Sequence, residues 1–126
     1  MSKEVYLIAL DDQGLPGVLD PAVVEEIFGR HGVDVVGTDA FVSDPDIEHA
    51  WTEVTGLGSG VLTFWRPAGR LIWRILFDLL TECHGFAYDT GGSLTVGNGE
   101  SLRRLRASGN WDADDARTVT SSDELG

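Results

Sequence analysis

Residues 61–80, VLTFWRPAGRLIWRILFDLL, decide the fold. Val61, Leu62, Thr63, Phe64 and Trp65 are β-branched, aliphatic or aromatic residues of the kind that pack well on a pleated surface. They are apolar on both strand faces, which predicts a strand inside a sheet rather than at its edge. Gly58-Ser59-Gly60 opens this strand and Arg66-Pro67 closes it. Proline has no N–H for a sheet ladder but suits the first turn of a helix, so the spacing predicts a helix over residues 67–83. Ala68, Leu71, Ile72, Ile75 and Leu79 recur at the interval of one helical face, and Trp73, Phe77 and Leu80 widen it. Arg70, Arg74, Asp78 and Glu82 follow one another every four residues and form the polar stripe. Its polarity is reversed relative to the helix dipole, with bases first and acids last. The stripe either pairs along the helix or turns Arg70 and Arg74 toward an acidic partner. The charges interrupt the run too often for a membrane span.

Outward from this core the chain reads as alternating short elements. Residues 4–10 form an apolar strand, closed by the turn chemistry of Asp11, Asp12 and Gly14. Asp20-Pro21 opens a helix, with Asp20 as N-cap and Val23, Val24, Ile27 and Phe28 as its buried face. Arg30 and His31 occupy its last turn and Gly32 closes it. Residues 33–38 read as a second strand. Residues 44–55 fit either a short helix or a strand ending in Trp51-Thr52-Glu53-Val54-Thr55. The glycine-rich stretch 56–60 favours the strand, as half of a hairpin with residues 61–65. After the second helix come a strand at 86–88, a turn at Gly91-Gly92, a short strand at 94–96 and one or two helical turns at 101–106. Residues 107–126 are polar, acidic and poor in aliphatic residues, which predicts a loose tail with Trp111 able to dock.

The order strand, helix, strand, strand, helix, strand predicts an α+β fold. The expected form is a ferredoxin-like βαββαβ sandwich with both helices on one sheet face. Residues 1–106 form the single domain and 107–126 the tail. The 126 residues are an ordinary length for one domain. No leader is expected, because the first residues run straight into a strand. The lone Cys83 admits no internal disulfide and points to the cytoplasm.

The charge is lopsided. The chain carries 21 acids against 9 lysines and arginines, a formal charge of −12. Residues 1–65 hold twelve acids and two bases, whereas residues 66–106 hold four acids and six bases. Such a balance disfavours nucleic acid as a partner; it either keeps the chain soluble or attracts a basic protein partner.

Chemistry-bearing patterns are few. Asp89-Thr90-Gly91, after Phe86-Ala87-Tyr88, resembles the Asp-Thr-Gly signature of aspartic proteases, in which a paired aspartate shares a proton. In that family the motif comes early, and here thirty-seven residues follow Asp89. The same residues read as an Asp–glycine hairpin turn, the reading adopted here, so Asp89 is a distant hydrolase candidate. His31, His49, His84 and Cys83 lack zinc spacing, and Asp112, Asp114 and Asp115 lack the glycine of a calcium loop. The Gly56–Gly60 stretch lacks the lysine of a phosphate loop. No metal and no cofactor is therefore expected. The best binding cluster is Asp44, Asp46, Glu48 and Glu53 around Trp51, because acids rimming an aromatic anchor suit a protein interface.

Leu62-Thr63-Phe64-Trp65-Arg66-Pro67-Ala68-Gly69, running into an aromatic helix within a compact acidic chain, resembles the small immunity proteins of bacterial toxin–immunity systems. The resemblance covers about a third of the chain. It implies a non-catalytic inhibitor that binds a cognate toxin directly. The alternative expectation is a dimeric ligand-sensing domain.

Overall fold

The computed structural model describes residues 4–125. In chain order it contains β1 (Val5–Ala9), α1 (Pro21–Arg30), β2 (Val35–Val36), β3 (Asp39–Ser43), β4 (Trp51–Thr55) and β5 (Val61–Trp65). These are followed by α2 (Leu71–Glu82), β6 (Gly85–Asp89), β7 (Leu94–Val96), α3 (Gly99–Ser108) and β8 (Ala116–Thr118). Single 3₁₀ turns at Ala113–Asp115 and Ser122–Glu124 flank β8. All strands join one eight-stranded sheet in the order β2-β3-β4-β5-β1-β6-β7-β8. Neighbours are antiparallel except the parallel pair β7–β8.

The two helices named from sequence lie on one face of this sheet. Val5, Leu7 and Ala9 of β1 point the same way as Leu62 and Phe64, Val54, Ala40 and Val42, and Ala87. Against them pack Val24, Ile27 and Phe28 of α1 and Ile72, Ile75, Leu76, Leu79 and Leu80 of α2. Each fully buried aliphatic side chain there contributes about 1.5–3 kcal/mol. β5 is an interior strand, as its composition predicts, but only one of its faces is covered: Leu62 and Phe64 are buried while Val61 and Trp65 are exposed.

The sheet differs from the expected four-stranded ferredoxin-like sandwich. Strands β4, β5, β1 and β6 are its middle, β2 and β3 extend one edge, and β7 and β8 extend the other. A third helix, α3, covers the opposite face. Leu105 packs there with Leu10, Phe86, Leu94, Val96 and Ala113, with Leu102 and Trp111 against them. The predicted strand 33–38 is interrupted by Gly37 in the left-handed region, φ 64°, which makes a turn and yields β2 and β3.

Residues 107–125 are not a loose tail. Helix α3 runs on to Ser108 and stops at Gly109 in the left-handed conformation. β8 then pairs with β7, and Val119 N donates to Val96 O at 3.0 Å. Val119 and Leu125 enter the main core, and Ala113 enters the second cluster. Trp111 packs edge-on to Phe86 with ring centres 5.0 Å apart. Few apolar residues suffice because each lands in a groove that others have already built.

Helix α2 begins at Leu71, four residues later than Pro67 suggests. Arg66 and Gly69 hold φ of 50° and 91°, so the intervening segment is a loop. The polar stripe does not pair along its own helix. Arg30 of α1 makes a two-pronged bond to Glu82 at 2.5 and 3.1 Å, and His31 Nε2 lies 2.7 Å from Asp78. The reversed polarity of α2 thus has a cause: its late acids answer the bases that close α1. The same bond to Arg30 holds the Glu82 carboxyl below its usual value.

Candidate functional site

The side of the sheet away from α1 and α2 is covered by α3 only over β6 and β7 and their neighbours. Over β3, β4 and β5 it is open. Alternation puts Asp39, Phe41 and Ser43, then Trp51, Glu53 and Thr55, then Val61, Thr63 and Trp65 on this open side. Phe41 is 57% exposed, Trp51 51% and Trp65 43%. The Phe41 and Trp51 rings stack with centres 4.9 Å apart. Glu53 stands opposite Phe41 on one side and opposite Trp65 on the other. Trp65 Nε1 donates to Thr55 Oγ1 at 3.0 Å, which fixes the indole across the strands. The aromatic row continues through Tyr6 and Tyr88, stacked at 6.4 Å, to Trp111.

Acids lie beside these rings, with Glu53 across the strands from both Phe41 and Trp65. Between residues 39 and 66 the chain holds five acids (Asp39, Asp44, Asp46, Glu48 and Glu53) and one base, Arg66. Asp39, Asp46, Glu48 and Glu53 are exposed.

Beside this face a cleft of about 610 Å³ runs along the outer edge of β3. Val33, Ala40 and Leu71 line it from the helix side and Val36, Phe41 and Glu53 from the open side. It exists because β2 pairs only with Asp39 and Ala40. The chain ahead of β2 is committed to closing α1, with Gly32 N bonded to Gly29 O and Val33 N to Phe28 O. It cannot also run beside Phe41 and Ser43.

The cluster predicted from sequence divides when placed on this frame. Trp51 and Glu53 sit on the open face. Asp46 and Glu48 lie in the β3–β4 loop, where Glu48 Oε1 is 3.4 Å from His49 Nε2. Asp44 has a different occupation. Its Oδ2 accepts from Arg70 N at 2.7 Å and Leu71 N at 3.0 Å, and its Oδ1 accepts from Asp46 N at 2.9 Å. It is the cap that α2 lacks in its own sequence, delivered from a loop 26 residues earlier. Gly69 permits the approach, since a Cβ there would lie 2.7 Å from the Asp44 carboxylate.

Those backbone donors, Leu71 first, lower the Asp44 carboxyl from 3.8 to about 2. A carboxyl lowered by folding stabilises the fold above its unfolded value and loses that effect as pH falls through its folded value. Asp44→Asn should therefore melt below the wild type at pH 7. The gap should narrow between pH 3.8 and about 2 and vanish below it. Thermal melts across pH measure this, and a gap independent of pH would refute the charged cap.

Phe41 and Trp65 are the residues that sequence reasoning missed. Trp65 reads as core because its strand is apolar throughout. Phe41 carried a signal: it shares the polar phase of Asp39 and Ser43 and therefore points outward with them.

The remaining candidates serve turns. Asp89 Oδ1 accepts from Gly91 N at 2.8 Å and Ser93 N at 3.2 Å, closing the β6–β7 hairpin. Asp11 Oδ1 does the same for Gln13 N and Leu15 N, each at 2.9 Å. Cys83 is buried, and burial pushes its thiol up to about 11. Among the described residues no group of three or more histidines, cysteines or acids could hold a metal ion. No helix among them is long and apolar enough to cross a membrane.

No protein-family model, no curated protein and no solved structure matches this chain.

Proposed function

We propose that this chain is a non-catalytic binding protein that takes a basic protein on the open face over β3, β4 and β5. One observation carries the reading. Phe41, Trp51 and Trp65 are exposed together, with Glu53 between them in the cross-strand register. Clustered exposed aromatics favour a site of interaction over a solvated surface. An arginine suits this arrangement in two ways: its guanidinium plane stacks on an indole and its donors fork onto a carboxylate. The acidic loop around Asp46 and Glu48 would steer such a partner in.

The immunity-protein reading is the narrower form of this proposal, with a basic toxin as the partner and inhibition by direct cover as the outcome. The single cysteine fits a reducing compartment, and we place the protein in the cytoplasm. The competing reading is a ligand-sensing domain that dimerises through its sheet.

Charge reversal tests the proposal. The triple variant Asp46→Lys, Glu48→Lys and Glu53→Lys leaves the core and the Asp44 cap intact. Capture from the native lysate at low and high salt should yield a basic protein that the wild type retains at low salt and the triple variant does not. Equal retention by the variant would remove the open face as the site. A concentration-dependent dimer that retains no basic protein would favour the sensing domain.

A further inference from the structure

We propose that the outer edge of β3 accepts an added strand from the partner, an extended basic segment that continues the sheet where β2 stops. The inference rests on the basic-partner reading above and specifies how that partner docks.

Three observations converge on it. First, the edge is open: β2 covers Asp39 and Ala40, and no strand among the described residues lies beside Phe41, Val42 and Ser43. Asp44 N donates to Ala50 O, so the Asp44 backbone faces β4. By strand alternation the N–H and C=O of Ser43 face away from β4. Such edges are templates for strand addition unless they are blunted. No proline or lysine interrupts residues 39–43, and Phe41 and Val36 stay exposed there. Second, a cleft already follows that edge. Its walls come from both sides of one strand, which is the shape a further strand would fill. Third, the walls differ in chemistry. The helix side offers Val33, Ala40 and Leu71, whereas the open side offers Asp39 and Glu53 beside Phe41. Among the described residues lining the cleft, the base is His31, and it is already engaged by Asp78.

A strand has a two-residue period, so these walls dictate a sequence pattern. The guest carries apolar, β-branched side chains toward α2 and lysine or arginine toward Asp39 and Glu53. Backbone bonds supply the register, and the charges select the partner.

The probe is the peptide acetyl-Arg-Val-Arg-Val-Arg-Val-amide, titrated into the isotope-labelled full chain and followed by amide shifts and hydrogen exchange. Two isomers separate backbone from side-chain recognition, one N-methylated at every valine and the other at every arginine. Strand addition uses the N–H groups of only one set. The expected result is slowed exchange at Ser43, with one isomer binding as the parent does and the other at least ten-fold weaker. Equal binding by both isomers, with shifts at the Trp51 and Trp65 indoles, would overturn strand addition and leave the open-face reading standing. No shift at about 1 mM parent peptide would also overturn it, while the capture experiment judges the broader reading separately. Self-association that displaces the peptide from β3 would assign the edge to a second copy of the chain and overturn the basic guest.

Discussion

A chain cut after Ser108 will show no cooperative unfolding transition. The deletion removes Val119 and Leu125 from the main core, a loss of about 3–6 kcal/mol of apolar burial. It also removes β8 from the sheet edge and strips Ala113 and Trp111 from Phe86. Domains of this size hold about 5–15 kcal/mol in total, so the remainder has little margin. Urea titration followed by far-ultraviolet circular dichroism measures the outcome. Should the truncated chain prove insoluble, Leu125→Ala in the full chain is the second measurement. It should cost about 2 kcal/mol, at the low end for a buried leucine because Leu125 keeps 8% of its surface exposed. A truncated chain with the wild-type urea midpoint would show that the last residues are dispensable after all.

The second large effect concerns binding rather than stability. Once a partner is in hand, Trp51→Ala and Trp65→Ala should each weaken it by about 30-fold or more, as central aromatic anchors do. Phe41→Ala should follow Trp51→Ala, because each ring is the other's support. Stability should hardly move. All three side chains are about half exposed, and the stacked pair is worth about 1 kcal/mol. Calorimetric titration gives the affinities and thermal melts of the same variants give the control. Wild-type affinity in Trp51→Ala and Trp65→Ala together would take the aromatic row out of the interface. A salt-dependent association rate that survives in these variants would leave the acidic loop as a steering element alone.

The geometry also separates two roles that look alike in the sequence. Asp44 and Glu53 are both acids near a tryptophan. Asp44 is spent on the start of α2, and Glu53 is presented on the open face between two rings. Charge reversal at Asp44 would damage the fold and mimic a binding defect, so it is excluded from the triple variant.

What the sequence by itself determined is what depends on near neighbours. Residues 61–65 had to be a strand, because β-branched and aromatic residues fill them between glycines and a proline. Asp20-Pro21 had to start α1, since the Asp20 side chain reaches Ala22 N two residues on, at 3.0 Å. The hairpin of β4 and β5 was legible in the glycines between them, and the Asp89 turn in its Asp-Thr-Gly-Gly order. Those signals act within a few residues, where the chain has little freedom to choose.

The tertiary structure decided the rest, for reasons of distance along the chain. The α2 cap comes from Asp44 and the partners of its acids from Arg30 and His31, so no local pattern around residue 70 or 82 could reveal them. Residues 109–125 carry too little apolar content to fold alone, and they order because β7, α2 and Phe86 already offer them a surface. Whether Trp65 is buried or exposed depended on α3, which covers β6 and β7 and stops short of β3, β4 and β5. An alternating strand fixes which side chains share a face. Only the packing of the remaining chain decides which face is left uncovered.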